Sequence, residues 1–201
     1  MILAVDDLAA NEPDIVDGHL TAMAKRKSEA YAVISDSTDE VFLTNLYDWY
    51  LEQGWNDRLL QTSSAFVVTY LQRKSIDDVS HADLLWRFYA QAERFFEAAT
   101  VQFQLAQSAF TLPLARRIEY LGRARANAST FTHGVTRQGR QQLLQDISSM
   151  IEVANIQDDI LQRIKQDTRI NERQKQDIIR EVDGPILPIT VVSNTNSFLR
   201  F

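Results

Sequence analysis

The sequence has no cysteine, and it has only six glycines, four prolines and three histidines in 201 residues. Without cysteine the chain has no disulfide, thiol nucleophile, zinc–thiolate site or iron–sulfur cluster. The low glycine and proline counts argue against an all-β sandwich or barrel, which needs many turns. His19, His81 and His133 leave little material for metal ligation or general-base catalysis.

Positive charge and long apolar runs are also scarce. The formal net charge is -6, whereas nucleic-acid binding needs clustered cationic side chains. No run approaches the roughly 20 apolar residues of a membrane span, and the first residues lack the pattern of a secretory signal. We therefore expect no direct nucleic-acid contact, no membrane contact from this segment, and a cytosolic or nuclear setting.

The apolar residues that are present follow a helical period. The chain is 45 per cent hydrophobic. A chain of this length buries roughly 70 per cent of the surface that is exposed in its unfolded state. About eight amphipathic segments joined by short polar turns predict an all-α fold, an irregular α-solenoid of antiparallel helix pairs. The family resemblance described below implies that this solenoid is truncated at its C-terminal end. We divide the chain into a partly disordered acidic lead-in (1–18), a helical array (19–184) and an irregular tail (185–201).

Cap-like residues set the predicted helix boundaries. Ser37 and Glu40 form a possible capping box before a helix that ends at Gly54, and that helix is apolar on nearly all sides, which predicts burial between neighbours. Ser80 begins a second cap-like motif. Asn171 begins a third, ahead of a short helix to Val182.

Other helix predictions follow from apolar spacing. Residues 65–73 predict a helix; the β-branched and aromatic residues 66–68 within them could form a strand, but no partner strand is visible nearby, and no strand–turn–strand pattern occurs in the chain. The longest periodic segment predicts a helix of about 30 residues from Arg137 to about Thr168.

Four arginines line one face of the predicted helix after Pro113. They are Arg116, Arg117, Arg123 and Arg125, with Tyr120 between them. Stacking of nucleic-acid bases on such a strip is conceivable. Contact with a partner helix, or plain solvation, is the favoured interpretation.

A search for catalytic chemistry finds no nucleotide-binding, zinc-protease or hydrolase motif. Asp78 and His81 have the spacing of a helix entry. Asp158 and Asp159 resemble half of an aspartate-rich metal motif, but Gln162 occupies the position of the third carboxylate. We assign no catalytic, cofactor-binding or metal-binding residue and no cofactor, and we predict that the protein is not an enzyme.

Three segments in order resemble one known family. They are Glu40–Leu51 (EVFLTNLYDWYL), Asp83–Tyr89 (DLLWRFY) and Leu114–Ala128 (LARRIEYLGRARANA). Together with Phe96–Ala99 and Met150–Ala154, these segments resemble the C-terminal helical domain of the large inner-ring scaffold nucleoporins of the 155/170 class, the non-repetitive, WGA-negative family. The resemblance extends from about residue 20 to 184, whereas the tail after Pro188 departs from it.

The resemblance implies an α-solenoid that serves as architecture. It implies a structural constituent of the nuclear pore complex at the nuclear envelope, which supports nucleocytoplasmic transport of protein and mRNA. It also implies partners among other nucleoporins, including peptides of linker nucleoporins. The alternative functions are a helical adaptor or transport-factor module outside the pore, and an all-α enzyme with a carboxylate–metal site. An array cut at its last helices predicts self-association near Ile178, Ile179 and Val182.

Overall fold

A computed structural model describes residues 15–16, 19–20, 22–35, 37–62 and 64–188. This part of the chain is built from helices, as the sequence predicts. The nine helices in it are α1 (Ala22–Ser35), α2 (Glu40–Glu52), α3 (Asn56–Leu60), α4 (Ala65–Lys74), α5 (Val79–Gln91), α6 (Phe95–Gln107), α7 (Leu114–Ser129), α8 (Arg137–Gln166) and α9 (Glu172–Val182). None of the helices in these ranges is long and apolar enough to cross a membrane.

A short strand pair precedes the first helix. Ile15–Val16 (β1) pairs antiparallel with His19–Leu20 (β2), with Ile15 opposite Leu20. The expectation that the chain contains no strand pairing was therefore wrong at this point. The missed signal is the dipeptide Asp17–Gly18, a composition favoured in two-residue hairpin turns. Most of the predicted acidic lead-in, and residues 189–201 of the predicted tail, lie outside the described residues.

The chain divides into two compact units, residues 1–70 and 71–201. In the first unit the core side chains come from α2, α3 and the start of α4; among them are Leu43, Leu46, Tyr47, Tyr50, Leu59, Val67 and Tyr70. The rings of Tyr47 and Tyr70 meet edge to face with their centroids 5.3 Å apart, an arrangement that aromatic pairs prefer. The Tyr70 hydroxyl donates a 2.6 Å hydrogen bond to Asp48.

Helix α2 is not buried on all sides. Val41 and Phe42 are 71 and 40 per cent exposed, and the buried stripe runs through Leu43, Leu46 and Tyr50 instead. The prediction of burial on nearly all sides was wrong, because an apolar side chain is buried only where a neighbouring element covers it. Gly54, with φ of +72°, follows this helix in the left-handed conformation that the sequence predicts.

For two helices, the N-cap in the structure lies two residues away from the serine that the sequence predicts. The N-cap of α2 is Asp39, whose carboxylate accepts from the amides of Val41 and Phe42, while Ser37 only accepts from the Asp39 amide. The N-cap of α5 is Asp78, which accepts from the Ser80 amide at 2.7 Å. In both places an aspartate acts as the cap, since its charge also favours the positive end of the helix. The predicted Asn171 cap of α9 is confirmed.

In the second unit each helix packs mainly on the next: α5 on α6, α6 on α7, α7 on α8, and α8 on α9. A common apolar core includes Ala106, Leu114, Leu121, Ala154, Leu161 and Val182. The 30-residue α8 confirms the long helix. Val182 is buried, and Ile178 and Ile179 are partly buried against this core, so the apolar end surface is smaller than the sequence suggests.

Candidate protein-docking site

One arginine of the predicted surface strip lies in the core. Arg117 is fully buried, and its guanidinium donates to the backbone carbonyls of Ala106, Ser108, Phe110 and Leu112 at 2.7–3.3 Å. These four carbonyls belong to the last turn of α6 and to the segment that connects α6 with α7. Burial lowers the pKa of Arg117, since desolvation disfavours the charged form. Of the two favoured interpretations, plain solvation is wrong at this residue, which instead contacts the neighbouring helix α6.

Other members of the strip bind neighbours within the second unit. Arg116 contacts the carboxylates of Asp83 and Glu119, and Arg123 also pairs with Glu119. The Arg116 guanidinium lies 4.8 Å from the ring centroid of Tyr120, within the range of a cation–π contact. These contacts tie the face of α7 to α5.

Asp83 on α5 is the shared partner of several polar side chains, those of Trp86, Arg116 and Tyr120. One of its oxygens accepts from the Trp86 indole and from the Tyr120 hydroxyl, each at 2.8 Å. Burial, and then the Asp83 carboxylate, raise the pKa of Tyr120. Because Tyr120 is fully buried, it cannot stack on a nucleic-acid base as the alternative interpretation required.

Two concave surfaces of the second unit are open. The first, which we call the α5–α6 cleft, encloses about 200 Å³ and is lined chiefly by Ile76, Ala82, Leu85, Val101, Leu105 and Phe110. Ile76 at its edge is 73 per cent exposed. The hydroxyls of Ser75 and Ser108 in its lining already donate to backbone carbonyls, and Gln104 is the remaining polar residue of the lining.

The second surface, which we call the α6–α8 groove, encloses about 400 Å³. Phe103 and Gln107 form one wall, and Asp146, Ser149, Met150 and Val153 form the other. Its floor joins the core, because Phe103, Met150 and Val153 pack partly against the central cluster. A surface of this volume falls within the common range for ligand-binding clefts, about 300–1,000 Å³.

Gln157 fixes the segment that follows α9. This buried side chain donates to the carbonyls of Val182 and Pro185, and it accepts from the Leu187 amide at 2.8 Å. Asp183 adds a 2.9 Å hydrogen bond from the Leu114 amide. Residues 183–188 are therefore held against α7 and α8 by polar contacts that the apolar periodicity does not reveal.

The acidic residues that the search for chemistry noted lie on two different helices, with Asp158 and Asp159 on α8 and Asp78 at the start of α5. Asp159 is exposed on α8, and Asp158 accepts only a 3.3 Å hydrogen bond from Gln162 among the contacts found for it. The Asp78 carboxylate lies 2.8 Å from His81 Nδ1 at the entry of α5, where it also caps the helix. Within the described ranges, no group of three His, Cys, Asp or Glu side chains is arranged to hold a metal ion.

Comparison with known proteins decides the family. The family model described as non-repetitive/WGA-negative nucleoporin C-terminal matches residues 1–195. The chain belongs to this nucleoporin family. The resemblance given by the sequence is thereby confirmed.

Relatives of this nucleoporin include NUP170 of Chaetomium thermophilum. That protein is 49 per cent identical over 185 residues, which cover 92 per cent of this chain and 13 per cent of the relative. NUP170 of Saccharomyces cerevisiae is 32 per cent identical over 170 residues, which cover 85 per cent of this chain and 11 per cent of the relative. The nucleoporin chain therefore spans roughly an eighth of these relatives.

A solved structure matches the fold as well. The crystal structure of the Chaetomium thermophilum Nup170 CTD–Nup145N complex superposes with a TM-score of 0.92 at 48 per cent identity, over 94 per cent of this chain and 36 per cent of that chain. The all-α fold class is thus confirmed. The division of this nucleoporin chain at residues 18 and 184 stays a prediction.

The sequence named no docking residue. Phe103, Met150 and Val153 lie on helices whose apolar spacing does not distinguish a core position from a groove wall.

Proposed function

We propose that this chain is a scaffold segment of the nuclear pore complex, positioned at the nuclear envelope and supporting nucleocytoplasmic transport of protein and mRNA. The observation that carries the proposal is the superposition on the Nup170 CTD at a TM-score of 0.92 and 48 per cent identity. The segment acts by shape: rigid helical faces hold other nucleoporins in place, and no chemical step is involved.

The internal use of charge supports this function. Arg116, Arg117 and Arg123 bind carboxylates and carbonyls within the unit, and Arg116 and Arg117 thereby join α7 to α5 and α6. The open surfaces are mostly apolar. Affinity on such surfaces comes from a few buried apolar side chains of the partner.

The proposed partners are other nucleoporins. The solved relative is a complex with Nup145N. We expect this chain to bind a corresponding linker nucleoporin, and we expect no direct contact with nucleic acid or membrane from this segment. Calorimetric titration of the chain with Chaetomium thermophilum Nup145N tests the partner class: saturable binding supports it, and the absence of heat at high micromolar concentrations contradicts it.

Localisation tests the function itself. A fluorescent tag at the chromosomal locus is expected to give a punctate nuclear rim. A diffuse cytosolic signal would contradict the scaffold proposal and favour the adaptor outside the pore. An enzyme with a carboxylate–metal site would instead be stabilised by Mg²⁺, since a ligand of the native state raises the unfolding temperature. We expect no such shift.

Self-association remains a secondary proposal. It would use Ile178 and Ile179, which are partly buried, because Val182 is buried already. Sedimentation equilibrium of the chain, compared with an Ile178→Asn and Ile179→Asn variant, distinguishes a dimer through this end from a monomer.

A further inference from the structure

The α6–α8 groove combines apolar side chains with one negatively charged side chain, Asp146. Asp146 lines the groove, and Ser149, Met150 and Val153 follow it along the same helix. At 3.6 residues per turn, Ile156 continues this stripe, and it is 40 per cent exposed. The apolar surface therefore extends from the groove onto the open side of α8.

The walls of the groove contain one carboxylate, that of Asp146, and no cation. Residues 141–162 of α8 include Asp146, Glu152, Asp158 and Asp159 but no Lys, Arg or His, and α6 contains Glu97 as its one charged residue. Glu152 and Asp159 are exposed beside the stripe that Ile156 extends. The neighbouring helix α7 has the opposite balance, with four arginines and one glutamate.

The polar contact found across the groove is weak. Gln107 Nε2 lies 3.6 Å from the sulfur of Met150, a thioether that accepts hydrogen bonds poorly. An incoming apolar side chain can replace this contact at little cost. Asp146 accepts from Gln142 on its own helix, and both side chains are exposed, so the carboxylate can also take a cationic partner.

We propose that the α6–α8 groove binds a protein segment that inserts an apolar side chain between Phe103 and Val153 and places a lysine or arginine beside Asp146. The apolar volume selects the anchor, and the exposed Asp146 carboxylate selects the sign of the flanking charge. The proposal gives a partner chemistry to the docking role proposed above, and rests on that role for the nature of the ligand as a protein segment.

The test uses the full chain and three synthetic amphipathic peptides. Each carries leucine along one helical stripe, and the opposite stripe carries lysine, glutamine or glutamate. We expect the lysine peptide to bind most tightly by fluorescence anisotropy, with an affinity that falls as salt rises. Equal affinity for the lysine and glutamate peptides would overturn the proposal.

Exposed charge reversals locate the site without disturbing the core. Asp146→Lys with Glu152→Lys is expected to weaken binding of the lysine peptide by at least about fivefold. The matched control, Asp177→Lys with Glu181→Lys on exposed positions of α9, makes the same change in net charge and should alter the affinity by less than about twofold. An equal effect of the two double variants would overturn the assignment to this groove.

The apolar contact has its own variant. Ile156→Asn changes no charge and removes an exposed apolar side chain, so weaker peptide binding with an unchanged unfolding temperature is expected. If sedimentation equilibrium instead shows a dimer that the Asp146→Lys, Glu152→Lys variant abolishes, the occupant is a second copy and the proposal is wrong. Failure of the peptide tests leaves rim localisation unaffected, whereas a diffuse tag with intact peptide binding contradicts only the scaffold proposal.

Discussion

The guanidinium of Arg117 donates a 2.9 Å hydrogen bond to the carbonyl of Ala106, which lies on the preceding helix. Both residues are fully buried. A cation in the core thus serves as a backbone cap: its other hydrogen bonds go to the carbonyls of Ser108 and Phe110, in the turn that leads from α6 to α7. The packing of α6 against α7 therefore includes polar contacts from this side chain as well as apolar burial.

Removal of that cap should be strongly destabilising. Arg117→Met keeps much of the volume but leaves buried carbonyls without donors, so the free energy of unfolding should fall by about 3 kcal/mol or more. Urea denaturation measures this change. Arg125→Met, at an exposed position of the same helix, should stay within about 0.5 kcal/mol, and a similar loss in both variants would contradict the capping role.

Buried tyrosines should make stability sensitive to high pH. Burial raises the pKa of Tyr47, Tyr70 and Tyr120 above the ordinary value of 10.0, and nearby carboxylates raise the latter two further. Because the folded-state pKa is the higher one, the stabilisation is complete below about pH 10 and is lost as the pH rises beyond it.

Urea midpoints between pH 8 and about pH 11 check this expectation, with tyrosinate absorbance as the titration signal. Tyr70→Phe removes one of the three groups and should make the alkaline decline shallower than in the unmodified chain. A decline of the same steepness in both proteins would show that Tyr70 makes no contribution.

The cap of α5 can be assigned by paired substitutions. Asp78 accepts from the Ser80 amide, and this bond is the main reason that the pKa of Asp78 lies below its usual value. Asp78→Ala should cost about 1 kcal/mol of unfolding free energy, whereas Ser80→Ala should cost much less. Thermal denaturation of the two variants decides between them, and a larger loss from Ser80→Ala would restore the cap that the sequence alone suggested.

Gln157 should control the order of the segment after α9. Gln157→Leu preserves apolar volume but removes the partners of the Val182 and Pro185 carbonyls and of the Leu187 amide. Hydrogen exchange of the Leu187 amide should accelerate by at least about tenfold, since its acceptor is lost. Gln162→Leu, on the exposed side of α8, is the control, and unchanged exchange at Leu187 in the Gln157 variant would refute the role.

Local chemistry explains which helices were predictable. The Asn171 cap, the stop at Gly54 and the length of α8 depend on backbone groups a few residues apart, so their signals lie in short stretches of sequence. The caps at Asp39 and Asp78 were misplaced by two residues because each lies near a serine that can also cap a helix. The sequence did not predict the strand pair Ile15–Val16 and His19–Leu20, because strands of two residues are too short to show the alternation of apolar and polar residues that indicates a strand.

Sequence by itself determined the helical composition, the absence of cysteine chemistry and the family, because these depend on residue identity, period and order along the chain. It could not determine that Arg117 is a core residue while Arg125 is exposed, since both occur in one basic stretch. Nor could it separate Phe103 and Val153, at a groove, from apolar residues sealed in the core. Those distinctions arise only when α6, α7 and α8 pack, because burial and groove formation depend on which neighbour covers each helix face.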